Sequence, residues 1–476
     1  MRRLAVVVVV AACGRIGFDG TTSRVNDATR DTASDVRGDA ALLHTELTPS
    51  NANGGDLFGN ALALSRDGLT LVAGAPREDS SATGINGNES DNSLTDAGAA
   101  YVFVQSASGW SQQAYIKASV NRSLPPGNFG ETVAISADGN TLAVGQSLCD
   151  TSALATGCVE VFTRSGTTWT FLQRVTAMFA DQDDLFGISV ALSDDGTTLV
   201  VGAEQESSSA TTINGNQQDN SSIAQGAAFV FVRSGNVYAQ QAYLKAPNGE
   251  NHDGFGSKVA CSGDGNTVAV GAISEASGVP TDPTDNSRPQ AGAVYAFTRQ
   301  GVAWTFGAYI KAPMITTGDF FSSSLSLSGD GTRLVVGAPG SDVAVSNGGA
   351  VDVYTLGTTA TLETTLTASI PGDTDQLGVS VAISGDGTTI LAGAALEDSG
   401  STDPNDNSAA DAGAAYRFVR SGTTWTQTEY IKRATPVAGD NFGYPLAMSQ
   451  DASVIAIDAG LANAAAGVVT LTYFGQ

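Results

Sequence analysis

One phrase recurs seven times along the chain, an aromatic or leucine that glycine usually follows. It stands at Phe58-Gly59, Phe129-Gly130, Phe186-Gly187, Phe255-Gly256, Phe320-Phe321, Leu377-Gly378 and Phe442-Gly443, at intervals of 57 to 71 residues. Self-similarity at such a period marks a repeat architecture, and about 60 residues suit one four-stranded propeller blade. The length of 476 residues would otherwise point to about three ordinary domains. The repeat instead organises residues 41–476 as a single seven-bladed β-propeller.

The third unit shows the strands of a blade. Ser189 to Ser193 reads as strand A, Asp195-Gly196 as a two-residue hairpin turn, and Leu199 to Ala203 as strand B. A long polar loop follows, then Gly226 to Val232 as strand C, a Ser234-Gly235 turn, and Tyr238 to Ala246 as strand D. The seventh unit ends after strand C, at Gly467 to Leu471. Its missing strand is expected at the other end of the chain. Leu43-His44-Thr45-Glu46-Leu47 matches the strand D segment Leu362 to Leu366, and Leu47 precedes Phe58 by the interval that separates Leu366 from Leu377. Pairing the two ends removes both free sheet edges.

Composition agrees with an all-β chain rich in turns: 56 glycines and only 15% charged residues. A net charge of −25 repels nucleic acid and anionic lipid. Two histidines, His44 and His252, are too few for a His-rich metal centre. Met1-Arg2-Arg3, followed by the apolar run Leu4 to Ala12, has the layout of an export signal. Val10-Ala11-Ala12-Cys13 resembles a bacterial lipobox, which implies lipidation of Cys13; plain cleavage is the alternative. Residues 1–13 are thus expected to be the signal and 14–40 a flexible tether. The expected location is the bacterial cell envelope or surface, or else the secreted fraction, with the lipid as the sole membrane contact. In that compartment Cys149 and Cys158, which bracket a short loop, are candidates for a disulfide. Cys261 falls at a core position.

Phe186-Gly187-Ile188-Ser189-Val190-Ala191-Leu192-Ser193 and Val200-Val201-Gly202-Ala203 resemble FG-GAP repeats, the blades of the integrin α-subunit head, and are similar to bacterial FG-GAP proteins of exported type. Glu78-Asp79-Ser80, Asp91-Asn92-Ser93 and Gly98 to Tyr101 look like the long-loop version of that repeat. The resemblance implies a propeller that serves adhesion or extracellular binding, as a monomer that recognises a protein or glycan. The integrin calcium loop between strands A and B is shortened here to Ser-x-Asp-Gly, as in Ser193 to Gly196, which leaves too few oxygens for a 6–8-coordinate ion.

Function, if it is local, should sit in four enlarged loops between strands B and C, at 76–97, 204–225, 273–291 and 395–412. Each carries Asp-Asn-Ser, beginning at Asp91, Asp219, Asp285 and Asp406, and an upstream Glu78, Glu206, Glu275 or Glu397. Strand alternation puts these loops on one face with the connections that carry Asp56, Asp184, Asp253, Asp319, Asp375 and Asp440, so an acidic face is expected. Two readings stand for Glu78, Asp79, Asp91, Asp219, Asp285 and Asp406. They offer hard oxygen ligands for Ca²⁺, or they form turns that satisfy their own backbone, which is the weightier reading. The corner aspartates are expected to cap backbone N–H groups. Trp110, Trp169, Trp304 and Trp425 open strand D of four units, and such recurrence favours packing between blades over a ligand platform. No Gly-x-Ser-x-Gly, His-Glu-x-x-His or phosphate-loop motif occurs, and no carboxylate pair departs from its repeat copies. A non-catalytic module is expected, with a polysaccharide-binding or polysaccharide-active propeller as the alternative.

Overall fold

The computed structural model describes residues 43–120, 127–149, 155–460 and 467–474. Signal, tether and Cys13 lie outside the described residues. The described chain forms seven four-stranded antiparallel sheets. Six of them run A-B-C-D in sequence order; the third comprises Ser189–Leu192, Thr198–Ala203, Ala227–Ser234 and Val237–Leu244. The seventh is made from both ends of the chain. Leu446–Met448, Val454–Asp458 and Val469–Tyr473 are joined by Leu43–Leu47 as the fourth strand. Leu43 pairs with Tyr473 and Leu47 with Val469, so the expected closure of the ring is the one found.

Burial explains the apolar pattern of each strand. Strands B such as Thr198–Ala203 are buried at every residue, because neighbouring blades cover both of their faces. Strands D such as Thr168–Val175 alternate with exposed positions, as an outer strand should. Apolar residues gather into seven clusters, each joining two adjacent blades. One packs Phe186, Val201 and Phe229 with Val159 and Val161 of the second blade; another closes the circle with Leu71 and Tyr101 against Val469 and Leu471.

The recurring Phe-Gly phrase is the joint between blades. Phe255 is fully buried and bridges Gly226 of the preceding blade. A Cβ at Gly202 would collide with the carbonyl oxygen of Gly256, so the strand B glycine of one blade lets the corner of the next come into contact. The fifth unit corrects the expected register. Phe321, not Phe320, is the buried corner residue, and Ser322 takes the glycine's place at φ 88°. The repeated phenylalanine hid this one-residue shift in the sequence.

The tryptophans sit between blades. Trp169 and Trp304 are buried, and their indole N–H groups donate to Gln113 and Gln241 of the blades before them, at 3.0 and 2.9 Å. Trp110 donates to Tyr473 of the seventh blade, and Trp425 packs on the core between the fifth and sixth. Cys149 and Cys158 form a disulfide with a Cα separation of 5.6 Å. Cys261 is half-buried against the core of the third and fourth blades.

Candidate functional site: the loop-bearing face

The two ends of the ring differ in construction. At one end lie the A–B turns. In all seven the serine of Ser-x-Asp donates to the aspartate at 2.6 Å, for example Ser193 to Asp195. The same hydroxyl accepts a backbone N–H five residues on, at 2.9 Å from Thr198. The carboxylate that would face a calcium ion in a longer loop is thus spent on its own turn. Backbone bonds link successive turns, from Arg66 to Ala137, Asp194, Gly263, Gly329, Gly385 and Gln450. Arg66, Asp194 and Gln450 also reach one another although their blades are not all adjacent, with Arg66 Nε 2.7 Å from Gln450 Oε1. Their side chains therefore cross the axis.

At the other end the long B–C loops meet the connections between blades. The N–H of His252 donates to the Ile223 carbonyl, and that of Gly439 to Ala410. Each long loop is held from within by a buried glutamate. Glu78, Glu206, Glu275 and Glu397 pair with Lys117, Lys245, Lys311 and Lys432 at 2.5–2.9 Å, with both partners buried. Each also accepts a hydroxyl, from Tyr115, Tyr243, Tyr309 or Tyr430, at 2.7–2.8 Å. Lys245 further donates to the carbonyls of Ser208 and Gly226 at 2.8 and 2.7 Å. An ammonium ion surrounded by three oxygens organises that loop as a bound metal would. Burial draws the pKa of these lysines down, and the glutamates oppose it. The short-loop second and fifth blades lack this arrangement. Glu160 and Asp352 take the place of the strand C aromatic there, and pair with Arg174 and Thr365.

The FG-GAP repeat family matches residues 43–103, 169–231, 238–297 and 304–354. The chain is an FG-GAP β-propeller protein. Each matched span opens at the first or second residue of a strand D, runs through strands A and B of the next blade and ends within its strand C, so the sequence repeat is offset from the structural blade by one strand. The first repeat therefore begins with the segment that closes the ring. No curated protein matches this FG-GAP propeller. Among solved structures it is similar to the Kuenenia stuttgartiensis hydrazine synthase, at 12% identity and a TM-score of 0.48, covering 86% of this chain and 94% of that one.

The loop aspartates of the FG-GAP propeller close their own loops. Asp91 accepts the Ser81 N–H at 2.8 Å, Asp219 that of Ser209 at 2.9 Å, Asp285 that of Gly278 at 2.8 Å, and Asp406 that of Ser408 at 3.1 Å. Serine hydroxyls and these amides hold the carboxyls below their usual range, Asp219 at about 2. Asp79 accepts the Asp96 N–H at 2.9 Å. The oxygens of Glu78 are engaged by Lys117, Tyr115, Asn51 and the Ser80 N–H. Among the described residues no three His, Cys, Asp or Glu side chains converge as metal ligands.

The corner aspartates were expected to charge this face, but all six are buried. Each accepts the N–H of the residue three before it, from Asp181 to Asp184 at 2.8 Å and from Glu250 to Asp253 at 2.7 Å. Burial raises Asp56 to about 6, and Asp184, Asp253 and Asp375 to about 7. Sequence reading missed the lysines of the loop cores. Their signal was present, since Tyr-Ile-Lys or Tyr-Leu-Lys ends strand D at 115–117, 243–245, 309–311 and 430–432, in the four units with long loops. Nor did it single out Glu131 and Glu204 of the second and third blades, whose carboxyls burial raises and which lie within the field of Lys258.

Proposed function

We propose that this FG-GAP propeller is an exported, non-catalytic interaction module, anchored at a bacterial cell surface through Cys13, that adheres to an extracellular protein or glycan through its loop-bearing face. The observation that carries the reading is the construction of the four long loops. Each has a buried ion pair at its base and an exposed asparagine in its outer turn: Asn92, Asn220, Asn286 and Asn407. Loops ordered before contact lose less entropy on binding, which suits recognition. The signal-like start and the Cys149–Cys158 bond support export to an oxidising compartment.

The test is surface plasmon resonance of the immobilised protein against extracellular matrix proteins and arrayed glycans. A ligand is expected whose affinity falls about tenfold or more when Asn92→Arg and Asn407→Arg are combined. Binding untouched by these changes, yet lost on altering Arg66 at the opposite end, would refute the assignment of the face.

A further inference from the structure

A cleft of about 360 Å³ opens on the loop-bearing face, between the B–C loop of the third blade and the connection to the fourth. Gln225 in its wall is 1% exposed, and its Oε1 has no hydrogen-bond partner among the described residues. Leaving such an atom unmatched costs about 1–3 kcal/mol. The ring supplies its own comparison. In six blades the carbonyl at this position accepts the N–H of the corner residue, and the other five carry Ala97, Thr156, Ala291, Gly348 and Ala412. Gln225 is the one large polar side chain among the six.

A second departure accompanies it. Gly249 precedes the residue whose N–H caps the corner aspartate; the equivalents are Ala52, Ala180, Ile315, Pro371 and Pro436. A Cβ at Gly249 would collide with the Gln225 amide. The two substitutions together place a buried amide where the other five blades have none.

The rest of the lining defines a ligand class. Ser209 and Ser221 donate their hydroxyls to Asp219 and Ser222 donates to Asn251, which leaves hydroxyl lone pairs to accept and the Asn251 amide nitrogen to donate; the one carboxylate, Glu250, is held by Asn286 at 2.7 Å. No lysine, arginine or aromatic side chain lines the cleft. It lacks a cation for an anionic ligand, apolar surface for a lipid, and paired carboxylates for a metal. Hydroxyls and amides both donate and accept, as does a vicinal diol. We propose that this cleft binds a neutral saccharide unit, for which the Gln225 amide turns outward so that its enclosed Oε1 accepts a sugar hydroxyl. The proposal rests on the loop-bearing face as the binding face and gives it a ligand class.

Saturation-transfer NMR of the full chain with glucose, galactose, mannose and N-acetylglucosamine tests it. Transfer to at least one sugar is expected at millimolar concentration. Gln225→Ala combined with Gly249→Ala should weaken it about tenfold, the loss of one buried hydrogen bond. Alanine already stands at both positions in other blades, so the melting temperature should hold. No transfer from any of the four sugars, or equal affinity in wild type and variant, overturns the proposal. A protein ligand still captured through Asn92 and Asn407 in that event would leave the loop-bearing face standing and remove the cleft alone. Sugar binding that depends on Gln225, with no ligand sensitive to Asn92 and Asn407, would keep the cleft and discard the broader face.

Discussion

Lys245 concentrates the residue-scale argument. Its ammonium and the Glu206 carboxylate are both buried, and each is costly to desolvate alone. Lys245→Met should therefore destabilise the propeller by about 3–5 kcal/mol, because it strands a charge. Glu206→Gln combined with Lys245→Met should recover much of that loss. Urea denaturation of the two single variants and the double variant checks this; a double-variant loss equal to the sum of the single losses would show that the pair is not coupled. The same residues explain what was legible in the sequence. Glu206 and Asp219 share one loop, in which Asp219 reads first as a turn former and second as a Ca²⁺ ligand. They part because Lys245, 39 residues downstream of Glu206, reaches back from the end of strand D, a pairing that only the blade brings together. The turn chemistry of Ser-x-Asp-Gly and Asp-Asn-Ser was readable because its partners lie within five residues in the first and within the same loop, up to 10 residues off, in the second.

At the scale of elements, the strand Leu43–Leu47 carries the most weight. It satisfies the outer edge of Val469–Tyr473, and two further contacts secure it. His44 Nδ1 lies 2.9 Å from Thr472 Oγ1, and Arg433 links Glu46 at 2.9 Å to the corner Asp440 at 3.1 Å. Deleting residues 43–47 should lower the melting temperature by about 10 °C or more and promote association through the bared edge. Scanning calorimetry and light scattering would read both effects; an unchanged transition would mean that the strand is dispensable. The element order was legible because apolar periodicity, turn residues and a constant interval each pointed to the same blade. The corner of the fifth unit was not, because two successive phenylalanines satisfy the pattern equally well and only the backbone conformation at Ser322 separates them.

Across the whole molecule, two sets of aspartates respond to pH in opposite ways. Corner aspartates such as Asp184 have folded pKa values raised by burial to about 7 from the ordinary 3.8. Their contribution is fully present below 3.8 and is lost as pH rises through about 7. Turn aspartates such as Asp195 resist their own burial through bonds from Ser193 and Thr197, which hold them below the ordinary value. Their contribution is present at higher pH and is lost as pH falls through their folded pKa. Thermal stability should therefore peak at about pH 4, fall as the pH rises toward about 8, and drop below about pH 3. A series of melting curves at fixed ionic strength would show it, and a monotonic rise from acid to alkali would contradict the burial of the corners.

Shared closure also fixes where the polypeptide leaves the propeller. Strand D starts, and strand C finishes, at the end that carries the A–B turns, where the Phe474 N–H donates to the Ser453 carbonyl. Leu43 and Tyr473 are thus side by side at the end away from the long loops. A bead, a sensor chip or a fused reporter joined to either terminus of the propeller will hang from its back, and the loop-bearing face will stay turned toward solution.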